Sequence, residues 1–241
     1  MGARNNQMTR WAWARYGMAM LCLATVTTAC SATQQVKVTQ TDLKCGFLGS
    51  ACDRLTPGAE GQAALRYLNP NANWTQYNKI ILDPVTYWGS DTTKISAADQ
   101  QTLVNYFDQV LHEDLGKKFQ IVDQPGPGVM RLQVALTDAE AATPGLRSIS
   151  IIIPQARTLN TLKYLATGTY AFIGAAQAEM KLIDSVSGQV LAEAVDRRVG
   201  GGAISAAAQW QWGDAENAMK AWATQLTDRL STWTSGAVKP S

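Results

Sequence analysis

The sequence predicts an α+β fold, in which a mixed β-sheet has helices packed on one face. Three patterns support this class. One segment alternates apolar and polar residues, a pair of strand-like segments is joined by a tight turn, and two segments repeat apolar residues at helical spacing. The predicted order is strand, helix, strand, strand, a middle segment, a hairpin and a final helix.

The first predicted elements are a strand and a helix. The segment "YNKIILDPVTYW" (77–88) is rich in β-branched and aromatic residues, which favours a buried strand. Ser96, with Asp99 three residues later, is typical of a helix start. The helix that follows has these apolar residues at helical spacing: Leu103, Val104, Phe107, Val110, Leu111 and Leu115.

Two further strands are predicted next. "FQIVD" (119–123) indicates a short strand, and "PGPG" (125–128) indicates a turn. "VMRLQVALTD" (129–138) alternates, which is typical of a half-buried strand. Its apolar face consists of Met130, Leu132, Val134 and Leu136. The middle segment is predicted to hold a strand at 148–153 and a short helix or turn at 158–167.

The last third of the chain predicts a β-hairpin and a long helix. Residues 173–199 contain two strand-like segments around the turn sequence "DSVSG". In the final helix, one face carries Met219, Trp222, Leu226, Leu230 and Trp233. Because apolar residues at this spacing normally face a core, we interpret this face as core packing rather than a cofactor site.

Residues 1–29 have the pattern of a secretory signal peptide. They contain three arginines, no acidic residue, and an apolar core that is shorter than the roughly 20 residues of a membrane-spanning helix. The core ends in "TTAC", which resembles the lipobox of bacterial lipoproteins, although Thr27 stands where those proteins usually have Leu. The resemblance implies that Cys30 is lipidated and becomes the mature N-terminus. The alternative is an ordinary signal peptide with an incidental cysteine.

Location and charge limit the partners. Enterobacterial lipoproteins with Asp after the lipidated cysteine stay in the inner membrane, and this chain has Ser31, so the resemblance implies the periplasmic face of the outer membrane. Removing residues 1–29 takes away three arginines and changes the net charge from +2 to −1. A nearly neutral chain argues against nucleic acid as a partner. The charges of "GKKF" and "DRRVG" are predicted to be solvated.

Residues 30–66 are predicted to precede the globular domain, which is assigned to residues 67–241. Residues 31–42 are polar without a strand or helix pattern, which indicates a tether. Cys45 and Cys52 flank a glycine-rich loop and are expected to form a disulfide in an oxidising compartment. Their spacing does not favour a metal site.

No catalytic constellation emerges from the sequence, and neither a metal nor a cofactor is predicted. His112 is expected on the surface of the first helix, where it can pair with Asp108, and Gly200 to Gly202 are expected to form a flexible connection. A carboxylate pair remains as an alternative for hydrolysis. If Ile183 paired with Gln189, Glu179 would lie opposite Glu193 in the hairpin.

From residue 67 to residue 230 the chain resembles a proteobacterial lipoprotein family known only as a domain of unknown function. The motifs that carry this resemblance are "LNP…Y", "VALTDAEAATPG", "AEMKLIDSVSGQVLAEAVDRR" and "WGDAENAMKAWATQL". More distantly, the hairpin and terminal helix look like periplasmic domains of the TolB amino-terminal and curli-secretion lipoprotein type. Those domains are mostly adaptors, so the resemblance implies binding rather than catalysis.

The leading hypothesis is an outer-membrane lipoprotein whose domain binds another envelope protein. Trp210 and Trp212 are candidate partner contacts, because tryptophan is enriched at binding hot spots. The competing interpretation is that both rings close off the core. Two alternatives from other classes are an envelope hydrolase that uses the two glutamates and a carrier of an apolar ligand held between sheet and helices.

Overall fold

The structure is a computed structural model that describes residues 33–38, 45–89, 95–142, 174–200 and 211–238. Within these ranges, nine strands form one mixed sheet and two long helices pack on it. The predicted α+β class is therefore confirmed. Residues 31–241 form one compact unit. The strand predicted at 148–153 and the helix or turn predicted at 158–167 lie outside the described residues.

The sheet has the order β2-β3-β9-β8-β7-β4-β6, with β1 paired to β9 and β5 paired to β7. Parallel pairing is confined to the β4, β5 and β6 side, and the other pairs are antiparallel. The strands are β1 (Thr33–Gln35), β2 (Thr56–Pro57), β3 (Leu65–Leu68), β4 (Lys79–Leu82), β5 (Thr86–Tyr87), β6 (Gln120–Ile121), β7 (Val129–Glu140), β8 (Ala175–Asp184) and β9 (Val190–Gly200).

The helices α1 (Ala97–Leu115) and α2 (Gly213–Thr234) pack on the same face of the sheet. The Ser96 side chain accepts a hydrogen bond from the Asp99 backbone N–H, so α1 begins where its capping residues predict. The apolar faces of both helices join the apolar face of β7 in one core. No helix in the described ranges combines the length and apolar character needed to cross a bilayer.

The central hairpin forms as predicted, but with a different register. Gly188 in its turn has a positive φ of 70°, a conformation that favours glycine. Ile183 pairs with Val190 rather than with Gln189, and the ladder is irregular between Leu182 and Ile183. The predicted pairing of Glu179 with Glu193 is therefore wrong. Ile183 pairs one residue later on β9 than predicted, and the unpaired Leu191 shifts the partners beyond it by one more, so Glu179 lies two residues from its predicted partner.

The face of the sheet opposite the helices is covered by the disulfide-closed loop. Cys45 and Cys52 are bonded, and a short 3₁₀ helix (Gly49–Arg54) brings Cys52 and Leu55 against Leu65 and Val195. This apolar cluster forms because side chains alternate between the two faces of β3 and β9. The disulfide loop and the strands under it therefore belong to one packed unit.

Part of the predicted tether lies in the sheet. β1 pairs in antiparallel fashion with the end of β9, and Val36 and Val38 are buried. The tether interpretation is therefore wrong for residues 33–38. The segment is too short for its residue pattern to indicate a strand. Residues 33–35 form a strand because β9 presents an open edge beyond its pairing with β3. The predicted domain boundary between residues 66 and 67 falls within β3.

Candidate functional site

The two glutamates of the predicted carboxylate pair lie on the sheet face that the disulfide loop covers. Glu179 lies opposite Val195, and Glu193 lies opposite Lys181, two positions along the ladder. The Glu193 side chain is 0% exposed, and its Oε2 accepts a hydrogen bond from Arg54 Nε at 2.7 Å. Glu179 Oε2 accepts a hydrogen bond from the Leu48 N–H at 2.8 Å. Both carboxylates therefore bind the disulfide loop to the sheet.

Electrostatics in this cluster follow from burial. Burial raises the pKa of the Glu179 carboxyl above its ordinary value, and hydrogen bonds from the loop backbone near Leu48 act in the opposite direction. A hydrolytic pair needs two carboxyl groups that face a substrate cleft. These two side chains are buried under the loop, and each one accepts a hydrogen bond from the loop region. The geometry therefore favours a structural role.

The substitution Glu179→Gln is expected to change the pH dependence of stability. Because the folded-state pKa of Glu179 is raised, the folded protein binds more protons than the unfolded chain above the ordinary value of 4.5. This group therefore stabilises the fold at pH below that value, and the contribution is lost as the pH rises through the raised pKa. Denaturant unfolding from pH 4.5 to 7 should show a steeper decline in the wild-type protein than in the variant.

The exposed Glu113 on α1 provides the control for this measurement. Glu113→Gln should leave the pH profile of the unfolding free energy as it is in the wild-type protein. If Glu179→Gln and the wild-type protein had parallel profiles, burial of Glu179 would not control the pH dependence.

On the helix side of the sheet, a cleft opens between α2 and the strands β3, β9, β8 and β7. It measures about 90 Å³. Its walls are mostly apolar and are formed by Leu68, Leu132, Met180, Leu182, Ala192, Ala194, Trp222, Leu226, Leu230 and Trp233. An adjoining groove of about 570 Å³ shares Arg66, Leu68 and Trp233 with the cleft. This is the kind of space that the carrier alternative requires.

Trp212 lies in the core. It is 3% exposed, occupies the position just before α2, and belongs to the same cluster as Trp222. This burial agrees with the core interpretation of Trp212 rather than with a partner contact. Trp210 lies outside the described residues, as does Cys30.

The "WGD" sequence that begins α2 packs against two glycines. Asp214 Oδ2 accepts a hydrogen bond from the Gly174 N–H at 2.8 Å. A Cβ atom on Gly200 would lie 2.3 Å from Asp214 Oδ1, which is too close for any side chain. Gly200 therefore provides space for a buried aspartate rather than a flexible connection, and Gly201 and Gly202 lie outside the described residues.

The charges of "DRRVG" are not solvated, contrary to the prediction. Arg197 binds Asp138 and Glu140, with nitrogen–oxygen distances of 2.5 and 2.6 Å. Asp196 is buried and accepts hydrogen bonds from Trp222 Nε1 at 2.7 Å and from Arg198 Nε at 3.2 Å. These residues lie in the middle of β9, which is covered on both sides, so their charges need partners within the protein.

His112 lies where the helical spacing places it. Its Nδ1 is 3.2 Å from Asp108 Oδ2, and its side chain is partly exposed on α1. Across the part of the chain that the structure describes, no group of three or more potential ligand residues is placed to hold a metal ion. Arg54, Arg66 and Asp196 could not be identified as site residues from the sequence, because no local pattern shows which charged residues a distant segment will cover.

Comparison with known proteins relates these features to a family. Residues 44–226 match the model of the family described as "Protein of unknown function (DUF3313)". The uncharacterised lipoprotein YdcL of Escherichia coli K12 is 25% identical over 138 residues, which cover 56% of this chain and 60% of YdcL. The chain thus spans about three fifths of that relative's length. A YdcL protein from Escherichia coli O157:H7 matches to the same extent.

Three solved structures resemble parts of the fold. A Xanthomonas campestris protein of family DUF330 has a TM-score of 0.40 at 13% identity and covers 70% of this chain and 94% of its own. The PelC dodecamer from Paraburkholderia phytofirmans has a TM-score of 0.37 at 10% identity. The match covers 67% of this chain and 94% of the PelC chain. A putative lipoprotein from Caulobacter crescentus CB15 has a TM-score of 0.31 at 15% identity. The match covers 66% of this chain and 94% of that lipoprotein.

At these identities and TM-scores, the structural resemblance carries no conclusion about activity or assembly. The family match is different, because it includes the disulfide loop, the strands β2 to β9 and most of α2. Since residues 44–226 make up well over half of the 241 residues, this chain is a member of the DUF3313 family of proteins of unknown function.

Proposed function

We infer that this protein is a lipoprotein, anchored through Cys30 at the periplasmic face of the outer membrane, whose folded unit binds another component of the cell envelope. The observation that carries this proposal is the "TTAC" sequence at the end of an apolar segment preceded by three arginines. The two YdcL relatives are described as uncharacterised lipoproteins, which supports an anchored chain. Ser31, rather than Asp, supports the outer membrane.

The position of β1 adds to this proposal. Its first residue, Thr33, is three positions after Cys30, and a fully extended chain of that length spans about 10 Å. An anchor at Cys30 would therefore hold the folded unit near the membrane surface. Such a position suits an accessory module that acts on neighbours in the same membrane.

Binding is a better-supported role than hydrolysis. The two glutamates that the sequence offered for catalysis are buried, and each holds the disulfide loop in place. Crosslinking in intact cells, followed by mass spectrometry of the trapped species, tests the binding role. We expect to trap the same envelope partner in repeated experiments and to lose it when the anchor is removed. Recovery of the protein without any crosslinked partner would contradict the binding role.

Replacing Cys30 with serine in the full chain should abolish acylation. The thiol is the acceptor of the lipid, and serine lacks it, so a fatty-acid analogue supplied to growing cells should no longer label the protein. Cys22→Ser is the matched control, because Cys22 lies within the segment that processing removes, and this variant should be labelled like the wild-type protein. Persistent labelling of the Cys30→Ser protein would contradict the proposal.

Replacing Ser31 with aspartate tests the destination separately from the anchor. By the enterobacterial sorting rule, the Ser31→Asp protein should stay acylated but move to the inner membrane, and Ser31→Asn serves as a control that adds similar bulk without the charge. Separation of the two membranes by density, followed by immunoblotting, measures the outcome. An unchanged distribution of the Ser31→Asp protein would contradict outer-membrane placement by this rule.

The cleft beside α2 favours a second candidate function, the carriage of a ligand with an apolar part. Its apolar walls lie next to a wider groove through which a small molecule could enter. This candidate is compatible with a membrane anchor, since apolar ligands are concentrated in membranes.

A further inference from the structure

Two arginines line the cleft beside α2. Arg66 extends from β3, and Arg229 extends from α2, so they approach the cleft from its two sides. The Nε atom of each is buried without a hydrogen-bond partner. Among the described residues, neither guanidinium forms an ion pair with an acidic side chain, although Arg229 donates a hydrogen bond to the Gly61 carbonyl. Buried donors of this kind normally have partners.

The arginines are close enough to affect each other. Burial lowers the pKa of both side chains, and the charge of Arg66 lowers the pKa of Arg229 further. Two like charges in a partly buried place destabilise each other unless an anion lies between them. The arrangement therefore favours an anion between the two guanidinium groups.

The acidic residues near the cleft do not supply this negative charge. The Asp196 carboxylate accepts hydrogen bonds from Trp222, Arg198, Gln35 and the Ala64 N–H. The Glu193 carboxylate is bound to Arg54 under the disulfide loop. Asp196 is occupied by these donors, and Glu193 is paired with Arg54 through Oε2 while its Oε1 has no hydrogen-bond partner, so neither carboxylate forms an ion pair with the two arginines of the cleft.

The volume of the cleft limits the size of a ligand. A volume of about 90 Å³ is smaller than the cavity of about 150 Å³ that holds benzene in another protein. The cleft alone is therefore too small for a complete lipid tail, and a chain of about six carbons would extend into the adjoining groove. Arg66 lines both the cleft and the adjoining groove, so it lies where the apolar walls give way to more polar surroundings.

We propose that the cleft binds an anionic amphiphile, with its short apolar tail between α2 and the sheet and its carboxylate or phosphate group on Arg66 and Arg229. The guanidinium group is suited to this task, because its donors match the spacing of two oxygens of either anion. The proposal rests on the carrier candidate and names the class of ligand that it would carry.

The test uses residues 31–241, which form one compact unit, and four probes that each contain a six-carbon chain. Hexanoate and hexyl phosphate carry the two anionic groups, hexanol is neutral, and hexylamine is cationic. Ligand binding is followed by two-dimensional NMR, in which the indole N–H signals of Trp222 and Trp233 report on the cleft. At least one anion should bind about tenfold or more tightly than hexanol, and hexylamine should not bind.

Variants test the two parts of the site separately, the arginines that would bind the anion and the apolar cleft that would bind the tail. Arg66→Gln and Arg229→Gln should each weaken binding of the anion about tenfold, while Arg66→Lys should retain part of it. Arg131→Gln removes an arginine that pairs with Asp83 outside the cleft, so it should bind like the wild-type protein. Ala194→Leu places a larger side chain in the cleft and should prevent binding of all tails. Thermal unfolding confirms that each variant is folded.

The outcomes distinguish the ligand class from the carrier function. Preferential binding of hexanoate or of hexyl phosphate supports the proposal and identifies which anion is preferred. Equal binding of hexanol and the anions, or anion binding that survives both arginine substitutions, overturns the proposal and leaves an apolar carrier. If no probe shifts the tryptophan signals of the folded protein, both the proposal and the carrier candidate fail.

Discussion

Replacing Trp222 with alanine should lower the free energy of unfolding by about 3 to 5 kcal/mol. Trp222 is 2% exposed and packs against Phe107 with the ring centroids 5.7 Å apart. Its Nε1 donates a hydrogen bond to the buried Asp196 carboxylate at 2.7 Å. The substitution thus removes core packing and also takes one donor from a buried charge. Urea unfolding of residues 31–241, followed by circular dichroism, measures the change.

Two further variants separate these contributions. Trp222→Phe keeps an aromatic ring but loses the N–H, so it should cost less than the alanine variant, about 1 to 3 kcal/mol. Val186 is 66% exposed in the hairpin turn, and Val186→Ala should change stability by no more than about 0.5 kcal/mol. A Trp222→Ala protein as stable as the Val186→Ala protein would show that α2 does not depend on this ring.

The substitution Trp212→Ala is expected to have an effect of similar size, about 3 to 5 kcal/mol. The ring is buried in the main core beside the first turn of α2, so its removal leaves a cavity between the helix and the sheet. Trp88 offers a matched control because it is 51% exposed. Trp88→Ala should cost clearly less than Trp212→Ala, since about half of the Trp88 surface already contacts water. Urea unfolding compares the two variants.

This comparison also decides between the two interpretations of Trp212. A core residue lowers stability when it is truncated, whereas a partner contact leaves stability unchanged and abolishes the species trapped by crosslinking. Unchanged unfolding of the Trp212→Ala protein, together with loss of the crosslinked species, would contradict the core assignment. Trp210 can be tested in the same way.

The predictions that the structure confirms depend on local patterns. Ser96 and Asp99 indicate the start of α1, because a capping side chain and the backbone N–H that it accepts are three residues apart. The alternation along β7 identifies its core face, because neighbouring side chains on a strand point to opposite faces. The turn that contains Gly188 indicates the hairpin for a similar reason. In each case, the interacting residues are close in sequence.

The hairpin register and the position of β1 could not be predicted in the same way. The partners of Glu179 and Glu193 differ from the predicted ones by two residues, and because a two-residue shift keeps every side chain on the same face, apolar patterning tolerates either arrangement. Residues 33–38 are polar enough to resemble a tether, and residues 33–35 become a strand of the sheet because β9 offers them unpaired backbone groups. Both features depend on which distant segment is available as a partner.

The amino-acid sequence alone was sufficient to predict the fold class, the two long helices, the central strands and the disulfide partners. The roles of the charged residues depend on tertiary packing. Glu193 becomes a structural anion because Arg54 and the disulfide loop cover it. Arg66 and Arg229 are 163 positions apart in the sequence, and they line the same cleft only because α2 packs over the sheet. Burial and charge pairing depend on such distant contacts, and local sequence patterns do not contain them.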